Sequence, residues 1–407
     1  MSPFQRSQLP TLLDRVEEHP KEPPRHMIVV TGPRQTGKTT LVQQTLEKTD
    51  TPSIYVRGDQ PVPAGTNKDS LWLEQVWKQA RKDAEESELG HLLVLDEIQR
   101  VREWSSAVKA LWDADRFHKR NLRVIILGSS PLMMQKGLSE SMAGRFETIR
   151  LTQWSYPEMS EAFGFTLDQY FYFGGYPGAA PLIYRPERWQ QYLQSAIIET
   201  NIERDIIERM EVRKPALLKQ LFEVGSEFSA QIVSYRNLLG QLDDKGNVTT
   251  LAGYLELLGR AGLLVGLQKY AGNIVRVKRS EPKLLVLDPA LMTANCGYTF
   301  EEARADRSFW GHLVESAVGA HLFNSGLPDI KVYYWREPPH EVDFVLQHGQ
   351  RLLAVEVKSG RRKRSVSGLT VFKERFPAAN TMTVGTGSTS FEEFLSVPAR
   401  HWFHKND

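Results

Sequence analysis

The chain has 407 residues, 41% hydrophobic and 25% charged, with a formal net charge of +2. That length exceeds one ordinary core, so two or three globular domains are expected, and no apolar run approaches the roughly 18 residues of a membrane span. A single cysteine, Cys296, excludes an internal disulfide and any multi-cysteine metal site; near-balanced charge confines any nucleic-acid surface to a local patch; and the polar start Met1-Ser-Pro-Phe-Gln-Arg6, which lacks an export signal's apolar stretch, makes a cytoplasmic location the expectation.

The first element is an apolar run, Met27 to Thr31, read as a buried strand. It leads into Gly32-Pro-Arg-Gln-Thr-Gly-Lys-Thr39, which fits the phosphate-binding pattern G-x-x-x-x-G-K-[ST], and then into a stretch with Leu41, Val42 and Leu46 at helical spacing. A loop between strand and helix places free backbone N–H groups and a positive dipole end against phosphate oxygens, and its glycines permit close approach. Gly32, Pro33, Arg34, Gln35, Thr36, Gly37, Lys38, Thr39 and Thr40 are therefore the expected ATP contacts, with Lys38 on the β and γ phosphates and Thr39 on Mg²⁺.

Further strands are read at Ser53 to Arg57, Leu92 to Leu95, Leu122 to Leu127 and Glu147 to Leu151, with helical periodicity at Leu71 to Glu86, Trp104 to Phe117 and Pro131 to Ala143. This alternation predicts a parallel sheet covered on both faces, with ligands beyond the carboxyl ends of the strands. Asp96 and Glu97 follow the third strand, as a Mg²⁺-holding carboxylate and a second one able to orient or deprotonate water would. An acidic helix cap would also place Asp there. Gly128, Ser129 and Ser130 follow the fourth strand, and Ser129 is a candidate contact of the γ phosphate or the water, although serines also cap helices.

With Arg145 before the fifth strand, this order of motifs resembles the AAA+ ATPases. The resemblance implies that Arg145 acts in trans on a neighbouring subunit's ATP, and hence a homo-oligomer; a surface arginine favoured by a helix C-terminus is the alternative. Residues 153 to about 210 read as the helical lid, with the turn Phe173-Gly-Gly-Tyr-Pro-Gly178 similar to one found in the lids of bacterial and archaeal ATPases. That similarity implies a nucleotide contact at Pro177, while an ordinary interhelical turn fits the same residues. The usual lid arginine has no clear counterpart.

Helical patterns at Leu217 to Phe228, Ser234 to Leu242 and Thr249 to Ala261, followed by Gly262 to Val265 and Ile274 to Val277 as a two-stranded wing, suggest a winged helix. Its recognition-type helix is poor in Lys and Arg, so contact with DNA or with protein both remain open. Near the C-terminus, Glu341 to Leu346 and Arg351 to Lys358 alternate as strands around a turn at Gly349-Gln350, which would set Asp343 opposite Glu356 and put Lys358 on the same face. Two carboxylates and a lysine suit metal-assisted phosphodiester hydrolysis, with Asp343 and Glu356 holding Mg²⁺ or Mn²⁺ and Lys358 positioning the nucleophile. A solvated face with cross-strand ion pairs is the alternative.

Asp343, Glu356-x-Lys358 and Glu315 on an upstream helix resemble the PD-(D/E)XK nuclease fold, and the basic run Arg361-Arg-Lys-Arg364 would suit a phosphate backbone. The whole chain is similar to a prokaryotic family joining an AAA+ module to such a domain. The expected architecture is α/β: an AAA+ P-loop parallel sheet (1–152), a helical lid (153–212), a winged-helix-like domain (213–281) and an α/β nuclease-like domain (282–407). Two functions fit: an ATP-driven machine that binds, remodels or cuts DNA, branched DNA included, and an ATP-dependent oligomerising switch that binds protein partners and carries an inactive nuclease-like domain.

Overall fold

Strands five or six residues long, each with a run of four buried apolar residues, form the centre of the N-terminal sheet. The computed structural model describes residues 4–59, 70–242, 246–272, 281–360, 368–386 and 389–403, which divide into two units, Met1–Leu151 and Thr152–Asp407. In the first, β1 (Met27–Thr31), β2 (Ser53–Arg57), β3 (His91–Asp96), β4 (Leu122–Leu127) and β5 (Phe146–Arg150) pair in the order β2-β3-β4-β1-β5, and every pairing is parallel. The third strand begins one residue earlier and ends one later than its apolar run suggests, because His91 and Asp96 are also buried.

Alternate residues along each strand serve different layers. Val29, Leu93, Leu95, Val124 and Ile126 pack with Trp77 of α3 (Ser70–Glu85), Trp112 of α4 (Trp104–Phe117) and Met134 of α5 (Pro131–Ser141). Ile28, Val30, Leu92, Val94 and Ile125 pack with Leu12 and Val16 of α1 (Leu9–Glu17) and Leu41 and Val42 of α2 (Lys38–Lys48). Because β4 lies between β1 and β3, the loops leaving these three strands are neighbours at one edge.

The second unit starts with helices α6 (Tyr156–Phe163) and α7 (Leu167–Phe173), each opened by a capping box, Ser155 with Glu158 and Thr166 with Gln169. α8 (Pro186–Tyr192) continues in wider π-helical turns through Leu193–Glu199 and Asn201–Ile207. α9 (Pro215–Glu227), α10 (Tyr235–Gly240) and α11 (Val248–Arg260) follow, then β6 (Leu264–Leu267). The described partner of β6 is β7 (Lys283–Val286), antiparallel to it. Ile274 to Val277, the expected second wing strand, lies outside the described residues. β7 is buried at all four positions and shows no alternation to read, and its pairing crosses the expected boundary between 281 and 282.

After α12 (Ala290–Thr293) and α13 (Phe300–Ala305), the long α14 (Arg307–Gly326) precedes β8 (Lys331–Glu337), β9 (His340–His348), β10 (Arg351–Lys358), α15 (Gly368–Arg375) and β11 (Asn380–Gly385). The sheet order is β11-β10-β9-β8, antiparallel except for the β10–β11 pair. α14 comes so close to the sheet that a Cβ at Gly319 would lie 2.6 Å from the Phe344 ring. Among the described residues no helix is long and apolar enough to cross a membrane.

Candidate functional site

Three glycine-dependent or left-handed positions shape the loop after β1. Gly32 has φ of 152°, and a Cβ there would meet the Leu151 carbonyl at 2.1 Å; Gln35 has φ of 59°, and Gly37, the N-cap of α2, φ of 90°. α2 begins directly with Lys38, so its first N–H groups, which lack intrahelical acceptors, and its positive dipole end border the loop. Lys38 is 7% exposed, and its Nζ donates to the carbonyls of Gly32 (2.9 Å) and Pro33 (2.6 Å), where phosphate oxygens offer better acceptors. Arg6, which the sequence did not single out, donates to the Thr36 carbonyl at 2.8 Å and ties the loop to the N-terminal segment.

Asp96 is buried at the end of β3, with Thr39 Oγ1 3.5 Å from its Oδ2. The hydroxyl of Tyr55, one strand over, donates to the same oxygen. Burial first, and then Asp96, raise the Tyr55 hydroxyl above its ordinary pKa, so it remains a donor. A threonine hydroxyl and a carboxylate this close, beside an anion-binding helix terminus, are hard oxygen ligands that fit Mg²⁺. Glu97 takes a left-handed φ of 52°, and its Oε2 accepts from Ser129 (2.9 Å) and Gln99 (2.7 Å). Ser129 thus meets the second carboxylate directly. The neighbouring Ser130 Oγ is buried without a hydrogen-bond partner among the described residues. Tyr55 and Gln99 escape sequence reading because neither belongs to a spaced motif; strand order and the turn after Glu97 deliver them.

Arg145 is not brought to this edge. Its carbonyl accepts from the N–H of Met27, at the start of β1, whereas the P-loop leaves the end of that strand. Five residues at ~3.3 Å each put about 16 Å of sheet between the two ends. Arg145 instead makes a two-point contact with Asp113, Nε to Oδ1 at 2.8 Å and Nη2 to Oδ2 at 2.9 Å. The pair lines a cavity of about 500 Å³ together with Arg25, His26, Trp112 and Arg116.

The turn bearing Pro177 belongs to the second unit. There the Gly175 N–H donates to Asp288 Oδ2 at 2.7 Å, and the Gly175 carbonyl accepts from Trp154 N at 2.9 Å. A Cβ at Gly174 would lie 1.9 Å from Asp288 Oδ1, and one at Gly175 2.1 Å from the Trp154 carbonyl. Both glycines are therefore required by internal packing. Burial pushes the Asp288 carboxyl up to about 7, against the lowering effect of its bonds from the Gly175 and Ala290 N–H groups.

On the C-terminal sheet, the β9–β10 register pairs Val355 with Phe344, so Glu356 follows opposite Asp343, and Gly349 turns the hairpin with φ of 59°. Lys358 is ion-paired with Glu356. Asp343 Oδ2 accepts from the Val357 N–H at 2.7 Å. The sequence did not single out Lys283 of β7, which is 1% exposed. Its Nζ lies 2.5 Å from Glu315 Oε1, 3.6 Å from Glu341 Oε1 and 3.9 Å from Asp343 Oδ1. Burial by itself would lower the pKa of this ammonium, but Glu315, Asp343 and Glu341 together hold it above its ordinary value. Although these three carboxylates meet around Lys283, among the described residues no three His, Cys, Asp or Glu side chains are spaced to hold a metal ion directly. The expected Mg²⁺ or Mn²⁺ ligands Asp343 and Glu356 thus do not fit a divalent cation as they stand, because internal cations already hold the carboxylates. Arg361 to Arg364 lie outside the described residues.

Three known families match successive stretches: an AAA domain over residues 24–160, and two domains of unknown function, DUF8612 over 164–302 and DUF4143 over 310–400. The second match crosses the expected boundaries at 212/213 and 281/282. Uncharacterized protein Rv2008c of Mycobacterium tuberculosis is 26% identical over 334 residues, 82% of this chain and 70% of its own length, and Mb2031c of Mycobacterium bovis matches to the same extent. The crystal structure of Cdc6p from Pyrobaculum aerophilum, at 15% identity, aligns over 64% of this chain and 86% of its own with a TM-score of 0.30. The loop, the carboxylates after β3 and the matched family agree: residues 24–160 are a P-loop AAA-type ATPase domain.

Proposed function

We propose that the chain is a Mg²⁺-dependent ATPase whose site is completed by Arg145 of a neighbouring copy, and that hydrolysis changes how residues 152–407 hold DNA. The observation that carries this reading is the strand order, which gathers Lys38, Thr39, Asp96, Glu97 and Ser129 at one sheet edge and leaves Arg145 at the other. Lys38 balances charge on the β and γ phosphates. Thr39 and Asp96 would hold Mg²⁺, which neutralises phosphate charge when bound. Glu97 accepts the proton of the attacking water, and Ser129 and Gln99 fix its Oε2 until it turns to that task. Arg145 exchanges Asp113 for a neighbour's γ phosphate. For DNA, the support is the helix, three antiparallel strands, helix and parallel strand of the C-terminal region, with the basic run Arg361 to Arg364 in its sequence.

A second reading, a switch that binds protein partners, is favoured by α11. Its outward positions include Val248, Thr249, Gly253 and Glu256, and its single basic residue, Arg260, lies 3.9 Å from Glu256. Phosphate affinity draws mainly on Lys and Arg, which this helix has only at Arg260.

ATP turnover measured on single-stranded, duplex and four-way-junction DNA separates the two. Stimulation by one of these supports the DNA reading; indifference to all, with an ATP-dependent change of mass in light scattering, supports the switch. Mixing Glu97→Gln with Arg145→Ala chains tests the trans arginine, since each supplies what the other lacks. Recovery of turnover in the mixture is expected, and no recovery would refute completion by a neighbour.

A further inference from the structure

We propose that Lys283 is the resident cation of the C-terminal carboxylate cluster, standing where a divalent metal would otherwise bind, so that this region works without metal. The inference is independent of whether the chain binds DNA.

Lys283 opens a strand whose other residues, Leu284, Leu285 and Val286, are fully buried and apolar, and its strand partner is Leu267. Pairing with β6 gives no use for an ammonium. The side chain carries it instead to a point where α14 and β9 converge, against Glu315, Glu341 and Asp343. It also donates to the Asp343 carbonyl at 3.3 Å and lies 5.1 Å from the centre of the Phe344 ring. A buried ammonium persists only where carboxylates and hydrogen bonds offset its lost hydration, and these partners do so.

The same oxygens are the ones a metal would need. A divalent cation bound by Glu315 and Asp343 would sit within a few ångströms of a positive charge in a medium that screens weakly. The remaining partners are also fixed, Asp343 Oδ2 by the Val357 N–H and Glu356 by Lys358. The cluster therefore has resident cations of its own, Lys283 against three carboxylates and Lys358 against Glu356, and metal-activated water is not available to it.

Removing the internal cation should open the place. Lys283→Met keeps an unbranched apolar arm and leaves Glu315, Glu341 and Asp343 facing one another. Mn²⁺ titrated into the full chain without nucleotide, and followed by electron paramagnetic resonance, counts bound ions. Wild type and its Asp343→Asn and Glu356→Gln variants should bind the same number. Lys283→Met should bind one more per chain, and Lys283→Met/Asp343→Asn should lose it again. A wild-type chain that loses one Mn²⁺ on either carboxylate change overturns the proposal, as does a folded Lys283→Met that gains none. If Lys283→Met fails to fold, the comparison of wild type with its carboxylate variants still decides, because equal binding supports an internal cation and unequal binding removes it.

Discussion

The crevice beyond β3 and the face shared by β9 and β10 have the same raw material, carboxylates beside a lysine, but they differ in the partners those groups have. In the first, Lys38 donates to loop carbonyls and Asp96 accepts from the hydroxyls of Tyr55 and Thr39. In the second, Lys283 lies within 4 Å of three carboxylates and Lys358 is paired with Glu356. Neutral partners can be exchanged for a phosphate and its metal at modest cost, whereas a buried pair of opposite charges resists exchange because parting them strands one charge out of water. A motif of acids and a lysine becomes a ligand site or a structural knot according to which contacts the fold completes.

The sharpest way to break that comparison is to remove each lysine in turn. Lys38→Ala should lower ATP turnover by about 10³-fold or more, since a phosphate-binding cation is lost where charge develops; a steady-state phosphate-release assay showing a fall under tenfold would contradict its role. Lys283→Ala should instead destabilise the second unit by about 3 kcal/mol, the low end of the cost of breaking a buried pair, because Glu315, Glu341 and Asp343 keep 17%, 38% and 19% of their side-chain exposure. Denaturant unfolding of the full chain reads this, and a loss below about 1 kcal/mol would place the group among weak surface pairs.

A smaller effect concerns acid. Burial lowers His321 from 6.5 to about 4, so its contribution is complete above pH 6.5 and is lost as pH falls towards 4. Asp288 runs the other way: its carboxyl is raised from 3.8 to about 7, so its contribution is present at low pH and is lost as pH rises through about 7. The two oppose each other between pH 4 and 7. Asp288→Asn should therefore uncover the histidine, so that the variant's stability falls by on the order of 3 kcal/mol from pH 7 to pH 4 while that of wild type changes little. A variant with the wild-type slope would show that these buried groups do not titrate in opposition.

Much of the N-terminal site is legible along the chain because its parts are local. The P-loop, the strand before it and the helix after it are contiguous, and Asp96, Glu97 and Ser129 each follow a strand end where parallel α/β sheets bind ligands. The partners of those groups are less legible. Tyr55 reaches Asp96 only because β2 pairs with β3, and Gln99 reaches Glu97 because the chain turns left-handed at Glu97. Gly174 and Gly175 show the reverse case: a turn resembling a nucleotide contact owes its glycines to Asp288 and Trp154, more than a hundred positions and about twenty positions away in sequence.

Sequence alone determined the chemistry of the phosphate loop, the acidic strand end and the hairpin that sets Asp343 opposite Glu356, because each depends on spacing within one or two consecutive elements. Tertiary structure decided that Arg145 stands at the far edge from its own P-loop, that β6 pairs with Lys283–Val286, and that Lys283 enters the C-terminal acids from sixty residues upstream of Asp343. Those outcomes rest on strand order and on the need of a buried charge for a counter-charge, and neither is written in the local pattern of residues.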